Sequence, residues 1–421
     1  MSARSRSRLM PSNTSRRRFL AAVGAATTAS LAGCFDSVEE LDGDLGDGGQ
    51  VPDDATTDWP LPHFDAQATS YNPNPVGPRE KPSVRWDVEG GWPTGRIAVV
   101  GDTAYVPLAD SLRALDTASG EEKWRVGTRE DTDANYGSPQ FTSPAVVDGT
   151  VYVGTTDRRG LLALDAASGE ERWRWNPGEA DVHAPAVPVD DGIAAGTQGG
   201  LVAALAPETG EERWTVEVFG EVSRLAYSPS TLYAGTTGGE VYSFSDYDGN
   251  GLWRRKLGGA IEALAVEGSS SVYAGTFGGG VYHLSGSLHA GRTRWHAADG
   301  PTAHGALALA DGIVVGTDLS RARGLHYRTG EVRWEIEGDF GAPPAASGSV
   351  GYLAGDDVVA VNLDGGYGLG DVRFGAKRWT FPVEGYVEHG VTVADGALFF
   401  AAKGGKSERT EGAEPRIYAL E

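Results

Sequence analysis

The chain has 421 residues, with 36 basic against 58 acidic side chains and a formal net charge of −22. That balance excludes a nucleic-acid binder, which needs a basic footprint. The single cysteine excludes an intrachain disulfide, a cysteine-based zinc site and an iron–sulfur cluster. With 40% apolar residues and 61 glycines, the chain has enough apolar surface for a large core and is rich in turns.

Residues 1–34 carry six arginines and no acid. Arg16 and Arg17 precede Arg18-Phe19-Leu20 and a small, apolar run from Ala21 to Gly33, too short and too rich in alanine and glycine to span a bilayer. The pattern resembles a Tat export signal, and Leu31-Ala32-Gly33-Cys34 resembles a lipobox whose cysteine receives a lipid thioether. The expectation is export by the Tat pathway and lipid anchoring through Cys34 at the outer face of the cytoplasmic membrane. Cleavage there leaves 30 basic against 58 acidic residues, and six lysines against thirty arginines in the whole chain resemble the surfaces of extreme halophiles. Residues 35–58 read as an acidic, flexible tether. Asp42-Gly43-Asp44 starts like a calcium loop, but Asp53 stands where the bidentate glutamate belongs, so the linker reading prevails.

A lead-in covers 59–81, and one pattern then repeats through 82–421. Ala114-Leu115-Asp116-Thr117-Ala118-Ser119-Gly120-Glu121-Glu122-Lys123-Trp124 returns at Ala163–Trp173 and Ala204–Trp214, with degenerate copies ending at Trp253, Trp295, Trp334 and Trp379. The tryptophans lie 49, 41, 39, 42, 39 and 45 residues apart, which is propeller spacing. Alternating Val/Tyr/Leu runs separated by Asp-Gly and Ser/Thr-Gly turns predict a four-stranded antiparallel meander per unit. Such a sheet cannot cover both its apolar faces alone, and packing in a ring does so, with the tryptophan filling the gap between blades. Trp86 lacks its turn, while Tyr418-Ala419-Leu420-Glu421 ends just where a tryptophan strand is due. The two fragments complete one blade and close the ring. The prediction is an all-β, eight-bladed propeller with blades near 97–126, 141–175, 182–216, 221–257, 260–297, 302–336, 340–383 and 385–421 with 84–88.

The repeat Ala-x-Asp-x-x-(Ser/Thr)-Gly-x-x-x-Trp resembles the tryptophan-docking motif of the PQQ-like β-propeller family. Trp59-Pro60, Phe64-Asp65 and Tyr71-Asn72-Pro73 resemble the lead-in of such proteins. That family includes eight-bladed quinoprotein alcohol dehydrogenases and the outer-membrane assembly lipoprotein BamB. The resemblance implies a fold; the motif packs blades and touches no ligand. The quinoproteins hold their quinone with calcium, a ring of adjacent disulfide-bonded cysteines and an aspartate base. Cys34 alone cannot form that ring, so no cofactor is predicted and PQQ with calcium is disfavoured.

No pair of the eight histidines has metal-ligand spacing. His183, His304 and His389 fall where first strands start, with Arg96, Thr142, Arg224, Glu262 and Glu388 near the same level. They form a candidate binding mouth, weighed against a merely hydrated rim. Asp246-Tyr247-Asp248-Gly249-Asn250-Gly251 matches half a calcium loop, but Leu257 stands at its twelfth position and the segment reads as a turn. Trp92, Trp175 and Tyr136 lie outside the docking positions and read as partner anchors or loop caps. The functional expectation is a monomeric, non-catalytic binding or scaffold lipoprotein for an unknown protein or small-molecule partner. The alternatives are a PQQ-dependent dehydrogenase and a solute-binding protein.

Overall fold

A computed structural model describes residues 56–127, 140–156, 160–178, 180–300, 305–369, 372–374, 376–404 and 412–421. All of them belong to one unit, Gly49–Glu421. The expectations for Arg16, Arg17, Cys34, Tyr136, His304 and the tether up to residue 55 lie outside the described residues.

The strands form eight antiparallel blades spanning 98–126, 145–175, 184–217, 222–256, 261–297, 308–337, 345–382 and 386–420 with 84–89. Blade 3 shows why. Its strands are Ala184–Val189, Gly192–Gly196, Leu201–Leu205 and Glu212–Glu217, paired in that order. The second strand is buried throughout because blades 2 and 4 cover both its faces. The outermost strand exposes most of its residues and buries Trp214. Ala204 faces Trp214 and Leu205 faces Glu212, so Arg213 is the extra residue of a bulge. The same register shift precedes the docking tryptophan in all eight blades. A bulge re-aims a side chain, here towards the next blade.

That blade receives it with the turn between its third and fourth strands. The indole Nε1 donates to a turn carbonyl from Trp86 to Thr117 (2.8 Å), Trp124 to Ala166 (3.0 Å), Trp173 to Pro207 (2.8 Å) and Trp214 to Asp246 (2.7 Å). Trp295 donates likewise to Tyr327 (2.8 Å) and Trp334 to Leu363 (2.7 Å). The turn glycine lies under the ring: a Cβ on Gly210 would stand 2.5 Å from Trp173, and the residue's φ of 72° disfavours any other side chain. Asp246 of the calcium-loop-like segment is thus a docking acceptor, and its neighbour Asp248 caps Asn250 in the same turn.

Two tryptophans depart from the pattern. Trp253, half-buried like Trp124, faces the turn from Ser285 to Gly291, two residues longer than its counterpart from Ser245 to Gly249. Trp379 is buried, and its Nε1 has no hydrogen-bond partner among the described residues. It faces the seam where the ring closes. There Val84–Glu89 pairs with Arg416–Leu420, Trp86 opposite Ala419, as the sequence predicts. The turn that would accept Trp379 is replaced by two separate segments, Ser83 and Glu421, whose main chains bind each other at 2.6 and 2.9 Å.

Candidate functional site

In every blade the first strand starts at one face of the ring and turns back at the other. The lead-in occupies the second face. Its main-chain carbonyls accept from the ends of first strands all round the channel: Thr57 from Asp395, Trp59 from Val99, Pro60 from Val146, Ala66 from Tyr227, Gln67 from Val266, Thr69 from Leu309 and Ser70 from Ala346, at 2.6–3.0 Å. Tyr71–Asn72 then adds a parallel strand to Ala345–Ser347. Blade 3 is met by Leu61, Pro62 and Ala66 through apolar packing. Residues 57–72 therefore wind round the channel as a plug. Trp59 is fully buried at its start, edge-on to Phe64 at 5.2 Å. The tight path holds Phe64, Ala68 and Ser70 at φ of 75°, 58° and 49°, strained values for residues with a Cβ.

Among the described residues, none closes the other face. Arg96, Thr142, Ser143, His183, Arg224 and His389 come together there round a cavity of about 170 Å³, and His63 forms its floor from the plug. Of the mouth residues read from the sequence, Arg96, His183, Arg224 and His389 are brought together. Glu262 contributes its carbonyl, which accepts from Arg224 Nε at 2.7 Å. Glu388 pairs with the buried Lys403 beside Tyr386 and Trp92. His63 was not visible as a site residue, because its segment has no strand register. A cue was present: between Trp59 and Pro78 a chain of net charge −22 has one charged residue, Asp65.

The electrostatics are unusual for so acidic a protein. Arg96 is 3% exposed, and its guanidinium donates to the carbonyls of His389 (3.3 Å), Pro62 (3.3 Å), Pro343 (2.8 Å) and Pro344 (3.1 Å). Arg224 donates through Nε to Glu262 and Gly305 and through Nη1 to Ser223. Every one of these hydrogen bonds goes to a main-chain oxygen. Burial pulls Arg96 down to about 9, so it stays charged at neutral pH. Burial also lowers Arg224, against which Glu262 and Glu221 act. Burial and then the fields of Arg96 and Arg224 push His63 well below its ordinary value, leaving it neutral. His389 is lowered by burial and donates through Nε2 to Pro93 O at 3.1 Å. His183 holds Glu221 through Nδ1 at 2.6 Å, with Asp181 3.8 Å from Nε2.

Exposed apolar side chains surround this mouth. Trp92 and Phe219 sit on connections between blades, and Phe277 and Leu319 on turns between second and third strands; both kinds of loop lie on the open face. Trp175 is instead buried, donating from Nε1 to Glu212 Oε1 at 2.8 Å, and clasps blades 2 and 3.

A family model described as "Outer membrane protein assembly factor BamB" matches residues 78–224 and 198–421. A curated protein of that name from Burkholderia pseudomallei is 25% identical over 166 residues, spanning 39% of each chain. BamB from Moraxella catarrhalis superposes with a TM-score of 0.62 at 18% identity, covering 81% of this chain and 98% of its own. Quinohemoprotein alcohol dehydrogenase from Comamonas testosteroni superposes at 0.67 with 15% identity, covering 86% and 80%. At these identities the solved structures speak for the fold alone.

Proposed function

Starting from a chain that belongs to the PQQ-like propeller family described as outer membrane protein assembly factor BamB, we propose a non-catalytic binding protein that receives its partner on the open face. One observation carries this reading: the plug closes one end of the channel, while the other presents a basic mouth ringed by Trp92, Phe219, Phe277 and Leu319. Exposed aromatic and aliphatic anchors round a polar depression are the anatomy of a protein-docking surface. The assembly role in the relatives' name belongs to them; what carries over is a scaffold that holds a protein partner near a membrane. The chain enters the propeller at Thr57, on the closed face. Export through the Arg16-Arg17 signal belongs to the same proposal.

The quinoprotein reading finds no matching donor set. One cysteine cannot make the disulfide ring, and no group of three or more His, Cys, Asp or Glu among the described residues is arranged to hold a metal. Adding PQQ and calcium to the purified protein tests it: a quinone absorbance band with dye-linked alcohol oxidation would favour the enzyme.

Affinity capture from membranes at native salt tests the binding reading. Replacing Phe219, Phe277 and Leu319 with serine should abolish capture of the partner, whereas replacing Tyr247 and Leu288 on the closed face should not. Equal capture by both variants would contradict it. Fractionation of a Cys34→Ala variant tests the anchor, with release from the membrane expected.

A further inference from the structure

Within that binding reading, we propose that the mouth seats a single carboxylate group against Arg224 and Arg96, supplied by a polypeptide C-terminus or by a small free organic acid. Two cations are held inside the channel of a protein with net charge −22, and all their hydrogen bonds end on neutral carbonyls. Taking a guanidinium out of water costs several kcal/mol even after relaxation, and carbonyl dipoles offset only part of that. A plain structural clasp would be made more cheaply by apolar side chains, as it is elsewhere in these blades. Glu262 and Glu221 act on Arg224 from a distance, but among the described residues no carboxylate is hydrogen-bonded to either guanidinium, so the arrangement is a pre-organised positive field.

The geometry leaves room for the missing anion. Arg224 spends Nε and Nη1 on carbonyls, and Nη2 keeps its two N–H groups without a partner among the described residues. These donors lie in the guanidinium plane and can make charge-assisted hydrogen bonds to a carboxylate's oxygens. Ser143 and Thr142 offer hydroxyls on the cavity wall, and neutral His63 closes the floor without adding charge. Gly95, Gly305, Pro185 and Pro343 add small residues to the wall beside His183 and His389. A volume of about 170 Å³ suits a carboxylate with a few atoms behind it. Drug-sized ligands and fused-ring cofactors need roughly 300 Å³ or more.

Calorimetry of the purified protein at constant ionic strength tests this, with acetate, N-acetylglycine and N-acetylglycinamide as probes. The two acids should bind at least about tenfold more tightly than the amide. Arg224→Gln should erase that preference, and Arg224→Lys should keep part of it by retaining the charge. Melting curves of both variants check that the propeller is intact. N-acetylglycine tighter than acetate by about tenfold would identify a C-terminus as the source, and equal affinity a free acid. Acid and amide binding alike, a preference surviving Arg224→Gln, or inorganic phosphate binding well above both acids would each overturn the inference. If the acids fail but capture still depends on Phe219, Phe277 and Leu319, only the carboxylate site falls. If capture ignores those residues, the open-face reading falls whatever the acids do.

Discussion

Trp173 meets the next blade through one carbonyl, at Pro207, and the same contact recurs round the rim of the ring. Arg96 gathers four carbonyls from the plug, the seventh blade and the eighth, and among the described residues no other repeats that pattern. The rim is a periodic structure held by apolar packing, with each unit touching only its neighbours. The hub is a single knot of charge and backbone on which seven blades converge through the plug. Repetition supplies the fold at the rim. Individuality at the hub, where the repeat is absent, supplies the surface on which the proposed binding rests.

Substitutions can break this contrast. The largest effect is expected at a regular docking site: Trp214→Ala should cost about 3–5 kcal/mol in urea unfolding, from the emptied gap and the lost indole bond. Trp253→Ala should cost about half as much, since Trp253 is half-buried over a longer turn. Equal losses would mean that the inserted turn residues do not loosen the joint.

A second effect depends on pH. His283 occupies the position opposite Trp295 where blades 1–3 carry Ala114, Ala163 and Ala204. It stacks on Tyr273 at 4.4 Å, and neither ring nitrogen has a hydrogen-bond partner among the described residues. Burial, helped by Arg294, pulls it from 6.5 to about 4. The unfolded chain therefore takes up this proton first. The histidine's contribution is complete above about 6.5 and drains away as pH falls towards about 4, a loss of about 3 kcal/mol. Melting temperature followed from pH 7 to pH 4 should show this decline in the native protein, and His283→Leu should flatten it. An unchanged slope would assign the acid sensitivity elsewhere.

Gly210→Ala should cost about 1–3 kcal/mol, because the methyl meets Trp173 at a left-handed position. The smallest effect has the opposite sign. Ser243 stands opposite Trp253 with a buried hydroxyl lacking a partner among the described residues, so Ser243→Ala should stabilise by about 1 kcal/mol. A loss there would reveal an unrecognised partner for the hydroxyl.

The same contrast explains what could be read from the sequence. Tryptophan spacing, turn chemistry and the incomplete ends at Trp86 and Tyr418 are local and repeated, so they predicted the blades and the shared last sheet. Arg96, His183, Arg224 and His389 were legible as a group because each precedes or opens a strand of known register. The plug was not legible. Its carbonyls bind amides up to 338 positions away, from Thr57 to Asp395, and it has neither alternation nor period to betray them. The orphaned Nε1 of Trp379 likewise follows from closure of the ring and from nothing in its own repeat. Trp175 has the composition of an exposed anchor, yet lies buried because Glu212 of the next blade reaches its indole.

The most direct test of the account compares the two faces in membranes that retain the native partner. Single cysteines replacing Phe219 and Phe277 on the open face, or Tyr247 and Leu288 on the closed one, can be labelled with a maleimide before and after the partner is stripped away. Labelling at Phe219→Cys and Phe277→Cys should rise on stripping, while Tyr247→Cys and Leu288→Cys stay equally reactive. A rise confined to the closed-face positions would contradict the account.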